Sequence, residues 1–577
     1  MKLSKFFAAG FLALSFSGAV HAATVVHITG STAFRKSTIV AIEKLMIAGP
    51  GGGTYSDGTT TISANKFKAA YNATTAANGE QGDTYVVLEG TITGASNPVI
   101  VKATWSGSVG GLITVADQID TTQIVSNGYL STANLDSVSE SNTVGNANII
   151  GGKSDFTTTR DGDNEKAQIA MSDSFAASAG ISSGLTASAT GGGTPGLVGI
   201  VPFEWVANNG VTAPVKFTGC SSATASSTIT YTSAIYTPTG ALASNAQISA
   251  VNVLGGPSIA RNVGITGATG TGTLGGTITI ASANTSTLSA ISSATYVGAV
   301  NGSNPITSIN QLQALGLLTT GGAFLSQFTG NSADAVAVYA MGRNFDSGTR
   351  LSELAETTVG VFGSVNAQHQ PSFVGGTTYS GQVFPNRGKG GGADKYMATL
   401  DQWAAEDIYP SPFTKSFGLG QSGFNGGGDL ADALATPGSL GAPDSGVGAA
   451  PALNGSLAQN GGWLIGYLGR SDATRACKAT TGANTAHHIP WNGQQDWTGS
   501  EAADGSVTFN NAAITEGLYS LWEYEFLYYA NGASAAQKTV GDKIAAQIFS
   551  TDASAAGILF GSMNVSKSIE GGVITHN

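Results

Sequence analysis

The segment Val25-Val26-His27-Ile28-Thr29-Gly30-Ser31-Thr32-Ala33-Phe34 decides the fold. Val25 to Ile28 reads as a short buried strand, and Gly30-Ser31-Thr32 forms a small-residue turn. The stretch that follows carries Ile39, Ile42, Leu45 and Met46 at spacings of three and four, the period of a helix with one apolar face. Strand, small turn and helix together open an α/β unit.

The pattern recurs along the chain. Val86–Leu88 and Val99–Val101 read as strands, the second leading into Gly107-Ser108-Val109-Gly110-Gly111, which reads as a glycine turn. Residues from about 112 to 165 are polar and loop-like. Ala167–Met171 is a small buried strand ending on Ser172-Asp173, and Leu197–Trp205 is a strong strand with Pro202 inside it. Helical spacing is expected at Ile309–Leu317 and Ala323–Phe328. A strand at Ala335–Tyr339 leads through Arg343-Asn344-Phe345-Asp346-Ser347-Gly348-Thr349 into a helix from Leu351 to Thr358. Tyr396–Ile408 and the aromatic Glu516–Tyr529 read as late helices, and 417–460 as glycine-rich loop. Between 211 and 300, Thr, Ser, Gly and Ala dominate and short runs such as Thr228–Tyr231 and Thr277–Ile280 alternate, the pattern of an inserted β-rich surface module or a long decorated loop, with disorder as the alternative.

The ends and the composition narrow the class. Lys2 and Lys5, an apolar run from Phe6 to Val20, and Val20-His21-Ala22 before Ala23 have the order of a secretory signal peptide over residues 1–22. The run is shorter than the ~20 apolar residues of a membrane span. A periplasmic or extracellular protein is therefore expected, without a lipid anchor. The 577 residues include 81 glycines and only 11% charged side chains, and the net charge of -11 argues against a nucleic-acid-coating surface. Cys220 and Cys477 are 257 positions apart, so their spacing establishes no pairing.

Four segments share one design: a strand ends, and a small-residue turn points hydroxyls or backbone N–H groups forward. They are Gly30 to Phe34, Gly107 to Gly111, Ser172-Asp173 and Arg343 to Thr349. Glycine admits a close ligand, a helix N-terminus favours an anion, and arginine supplies a permanent planar charge. Asp173 fits an anion site only if the guest has a proton to donate. Taken singly, Ser-Gly-Thr is an ordinary helix cap.

In this order, behind a signal peptide, the segments resemble those of the phosphate-binding proteins of bacterial ABC phosphate importers. The matching anchors are Ile28–Phe34, Gly107–Gly111, Met171-Ser172-Asp173, Val198–Phe203, Arg-x-x-x-Ser-Gly-Thr at Arg343–Thr349, and Leu464–Tyr467. The resemblance implies a two-lobed type II periplasmic binding fold with a hinge: lobe 1 from 23–205 and 461–577, and lobe 2 from 206–460 containing the insertion 211–300. It implies phosphate ligands Ser31, Thr32, Ala33 and Phe34 (with a one-residue ambiguity in register), Ser108, Asp173, Arg343, Ser347, Gly348 and Thr349. It also implies capture of inorganic phosphate by a monomer, for the membrane subunits of an ABC importer, with no cofactor, metal or catalysis. The family usually has Asp-Gly before Ser-Gly-Thr, whereas Phe345-Asp346 stands here, which displaces the carboxylate that would orient the arginine. Arg35 and Arg350, beside the motifs, read as helix-surface arginines, with added charge for the pocket as the alternative.

Other patterns support weaker expectations. His487-His488 reads as a plain loop, since neighbours on a strand would point to opposite faces. Asp161–Glu165 lacks EF-hand spacing. Trp522, Tyr524, Phe526 and Tyr528, placed on a helix, spread around it as packing groups. The alternative function is a secreted β-rich structural or adhesive surface protein. A phosphatase on the same fold would need a metal cluster or an activated nucleophile, and no Gly-x-Ser-x-Gly elbow is present.

Overall fold

The computed structural model describes residues 23–49, 67–71, 85–96, 98–117, 129–135, 165–189, 194–208, 306–330, 337–361, 368–373, 377–379, 382–384, 397–402, 423–424, 426–435, 462–478 and 486–577, with six short strands between 216 and 295. The signal-like residues 1–22, Cys220 and nearly all of Asp161–Glu165 lie outside the described residues.

In chain order the first elements are β1 (Thr24–Gly30), α1 (Arg35–Ile47), β2 (Phe67–Tyr71), β3 (Tyr85–Gly90), β4 (Val99–Thr104), α2 (Ser108–Asp117), β5 (Ile169–Ser172), β6 (Leu185–Ala187) and β7 (Leu197–Asn208). After the insertion come α3 (Gln311–Thr320), β8 (Gly322–Phe324), β9 (Ala337–Met341), α4 (Gly348–Glu356), α5 (Gly427–Leu434), β10 (Gly462–Gly469), α6 (Arg470–Cys477), β11 (Ala486–Ile489), β12 (Trp522–Ala530) and α7 (Ala535–Ser550). The fold is mixed α/β. Its sheet runs β8-β9-β10-β7-β12-β5-β1-β4-β3-β2, with β11 paired to β7 and β6 to β12.

β1 pairs in parallel with both β4 and β5, so the turns after all three open at one edge. β9 and β10 are likewise parallel. β7 joins the two halves: Leu197–Pro202 pairs with β12, and Phe203–Ala207 with β10. Pro202 sits where β7 changes partner, a position at which a missing ladder N–H is tolerated. β10, the first strand after residue 461, lies beside β9, and the chain rejoins the β1–β5 half with β12. The main apolar core runs under both halves, and a second cluster, including Leu430, Leu434, Leu464 and Leu468, fills the space between β10, α5 and α6.

Several local expectations need correction. Trp522–Ala530, expected within a helix, is the central strand β12, and Trp522, Tyr524, Phe526 and Tyr528 form a ladder of ring contacts on one face. Their spacing of two residues is the strand period. Met397–Gln402 is a strand paired with His369–Phe373, not part of a helix. Gly322–Phe324 is a strand, and only Ser326–Thr329 beyond it is helical. Ser108–Asp117 is a helix despite its glycines, and Gly427–Leu434 is a helix inside the stretch read as loop. In the insertion, Thr228–Tyr231 and Gly276–Ile280 pair as strands of a four-stranded sheet, in keeping with a β-rich module.

Candidate functional site

The four turns meet at the edge where β1, β4 and β5 end. Gly30 has φ +117, and a Cβ there would lie 1.9 Å from the Met171 carbonyl oxygen, so only glycine lets β1 approach β5 this closely. Ser31 N then donates to that carbonyl at 2.8 Å. Phe34 caps α1 without a side-chain bond, leaving the helix's first amides without a side-chain acceptor. Beyond β4, Gly107 N donates to Gly30 O at 2.9 Å and Ser108 begins α2. Asp173 N, past β5, donates to Ser108 Oγ at 3.2 Å.

The fourth turn comes from the other half of the sheet. Arg343 follows β9, and its side chain is held at both edges: Nε donates to Phe424 O at 3.0 Å and Nη1 to Thr32 Oγ1 at 3.3 Å. Ser347 caps α4 by accepting from Arg350 N at 3.4 Å. Gly348, the first residue of α4, fits against Asp173 and Ser108. A Cβ on it would lie 1.6 Å from Asp173 Oδ1 and 2.7 Å from Ser108 Cβ.

All ten expected residues are buried. The structure brings Ser31, Thr32, Ser108, Asp173, Arg343 and the α4 N-terminus together. Ala33 sits across from Gly469 at the end of β10. The Phe34 ring is turned into the core against Gly199 and Gly557, so only its backbone can serve a ligand. Ser347, Gly348 and Thr349 share the first turn of α4.

Asp173 is the odd member electrostatically. Its side-chain Oδ1 is buried and accepts no hydrogen bond. Burial pushes its pKa up to about 6, against the opposing pull of the Ser108 hydroxyl and the Arg343 charge. At neutral pH the carboxyl is ionised and unsatisfied on one side, poised to accept a hydrogen bond.

Some residues were not legible as site residues. Asp472, in the first turn of α6, stands beside the arginine: a Cβ on Gly427 would be 1.9 Å from Asp472 Oδ2 and 3.5 Å from Arg343 Nη1. Gly469-Arg470-Ser471-Asp472 after β10 is a further strand–turn–helix junction, the signal that marks the other four. Asp346, by contrast, lies over α2: its carbonyl accepts from Gly110 N at 2.9 Å. Arg350 is buried rather than on the surface, and its Nη1 supports the Arg343 carbonyl at 2.9 Å. Arg35 is half-buried at the head of α1.

The remaining candidates have structural roles. His487 and His488 lie on strand β11, not in a loop, and face Glu501 and Glu204 respectively. Cys477 is a buried free thiol. Among the described residues, no cluster of three or more His, Cys, Asp or Glu could hold a metal ion, and no helix is long and apolar enough to cross a membrane.

No family model matches the chain, and no curated protein matches it significantly. Among solved structures it is similar to a candidate phosphate ABC transporter substrate-binding protein from Clostridium perfringens, crystallised with bound phosphate. The TM-score is 0.33 and the identity 8%, over 92% of this chain and 98% of that one. A likeness that distant carries no functional inference. What the chain itself defines is a mixed α/β protein with a buried, hydroxyl-lined junction of strand ends that holds Arg343 and the Asp173 carboxylate.

Proposed function

We propose that this chain is a solute-binding protein that captures inorganic phosphate, or a related protonated tetrahedral oxyanion, and performs no chemistry on it. It acts as a monomer outside the inner membrane and hands the anion to the membrane subunits of an ABC importer. The lobes are the two halves of the sheet, and β7, which pairs with both, with β12 beside it, serves as the hinge that closes on the ligand.

The observation that carries this reading is Asp173 Oδ1, buried without a hydrogen-bond partner against Gly348 and within the field of Arg343. A protonated oxyanion offers that oxygen a donor while its other oxygens take the arginine, hydroxyls and helix amides. Sulfate has no such proton. It would leave the carboxylate unsatisfied at a cost of about 1–3 kcal/mol or more, which is roughly tenfold discrimination or better.

Asp173→Asn tests this in titration calorimetry. The variant is expected to lose its preference for phosphate over sulfate, because the amide can donate. A preference retained at the wild-type ratio would overturn the reading. Stability supplies a second readout. Since the folded-state pKa of Asp173 is raised from 3.8 to about 6, the folded chain holds the extra proton between those values, and stability falls as pH rises through that window. The variant without ligand is therefore expected to be more stable than wild type above that window, by on the order of 2–3 kcal/mol, measured by urea unfolding.

A further inference from the structure

We propose that Glu525 is a second proton-carrying carboxyl of this site, a specificity-determining residue whose side-chain proton the captured oxyanion requires. The inference rests on the oxyanion-binding reading above. β12 turns Trp522, Tyr524, Phe526 and Tyr528 to one face and Glu523, Glu525 and Leu527 to the other. Its ladder with β5 ends at the pair Phe526–Ser172, so the next position places Glu525 beside Asp173. On its other side Glu525 pairs with Gly199 of β7, over which the apolar Phe34 ring and Ala553 lie.

Glu525 is 0% exposed, and the Ser31 hydroxyl is directed at its carboxyl. The groups around it are few. From β5 the Asp173 charge acts on it, and from the first turn the Ser31 hydroxyl offsets part of its burial. Glu525 in turn acts on Tyr528 of its own strand. The Asp173 charge also acts on Glu570 of the C-terminal segment, and the positive charge of Arg343 is directed at Asp173. Burial and Asp173 together hold the Glu525 pKa well above the ordinary carboxylate range.

Ionised, Glu525 would add a negative charge next to Asp173 and the bound anion, with one arginine serving the site. Protonated, it is neutral and can share its proton with the buried Ser31 hydroxyl beside it. Anion binding raises the proton affinity of Glu525 further, so at alkaline pH capture takes one proton from solvent onto this side chain. Affinity therefore falls as pH rises through the Glu525 pKa of the ligand-free protein.

The test is the phosphate dissociation constant of wild type and Glu525→Gln from mildly acidic to alkaline pH. The amide keeps the shape and the donor but cannot ionise, and the ratio of the two constants cancels the ionisation of phosphate itself. The ratio is expected to shift in favour of the variant by up to about tenfold per pH unit once Glu525 ionises in wild type. A ratio constant across the range would overturn the inference while leaving phosphate binding intact. Wild type failing to bind phosphate at any pH would overturn the underlying reading and this inference with it. Should Glu525→Gln not fold, Glu525→Asp, with its carboxyl drawn back from Asp173, is expected to move the alkaline fall to a different pH, and an unmoved fall would count against the proposal.

Discussion

Arg343→Ala is expected to weaken phosphate binding by roughly thirtyfold to several thousandfold, the range for removing one partner of a buried, hydrogen-bonded charge pair (about 2–5 kcal/mol). The effect is large because the guanidinium is fixed before any ligand arrives. Phe424 O holds Nε, Thr32 holds Nη1, and Arg350 braces the Arg343 carbonyl. Little side-chain ordering is left to oppose binding. The truncation also leaves the Asp173 and Asp472 carboxylates without this counter-charge, so the emptied corner repels an anion. Arg343→Lys keeps the charge but not the planar fork, and an intermediate loss is expected. Calorimetry reads both, with a thermal melt to establish that each variant is folded. Binding within threefold of wild type for Arg343→Ala would count against the site.

Lys567→Met is expected to lower stability by about 3–5 kcal/mol, the cost of removing one partner from a buried ion pair. Lys567 Nζ is buried and donates to Glu356 Oε1, to Ser520 O at 2.7 Å and to Trp522 O at 2.8 Å, and it lies 4.6 Å from the centre of the Trp522 ring. Glu523 lies 3.7 Å away. These carboxylates keep the lysine charged, raising its pKa despite burial. Methionine fills the space but strands two carboxyls and two carbonyls. Adding Glu356→Gln to the variant is expected to restore part of the loss, since the stranded charge is then removed. Urea unfolding measures both, and a loss below 1 kcal/mol for Lys567→Met would show that the cluster is not bearing on stability.

Sequence reading agrees with the structure where one local pattern sets the element. Val25–Phe34 is legible because apolar run, glycine and helical spacing follow one another, and Arg343–Thr349 because a motif of fixed spacing caps a helix. It failed where tertiary contacts override local preference. Gly107 to Gly111 looks like a turn, yet it begins α2, because its glycines are what let the helix reach Gly30 and Asp346: a Cβ on Gly111 would lie 2.5 Å from Gly30 Cα. β12 reads as a helix in the sequence although its rings recur every two residues, and its other face bears Glu523 and Glu525, residue types that usually mark solvent. Here both are buried, in a strand covered on both faces. Asp472 reaches Arg343 from the first turn of α6, and Glu525 reaches Asp173 through the pairing of β12 with β5, and no local spacing ties either to the Arg343 motif.

A crystal structure of the chain grown with phosphate tests the central claim most directly. The expected result is a tetrahedral anion within hydrogen-bond distance of Arg343, Ser108 and the amides of Gly348 and Thr349, with one protonated oxygen against Asp173 Oδ1. An anion bound elsewhere, or these side chains closed on one another with no anion between them, would contradict it.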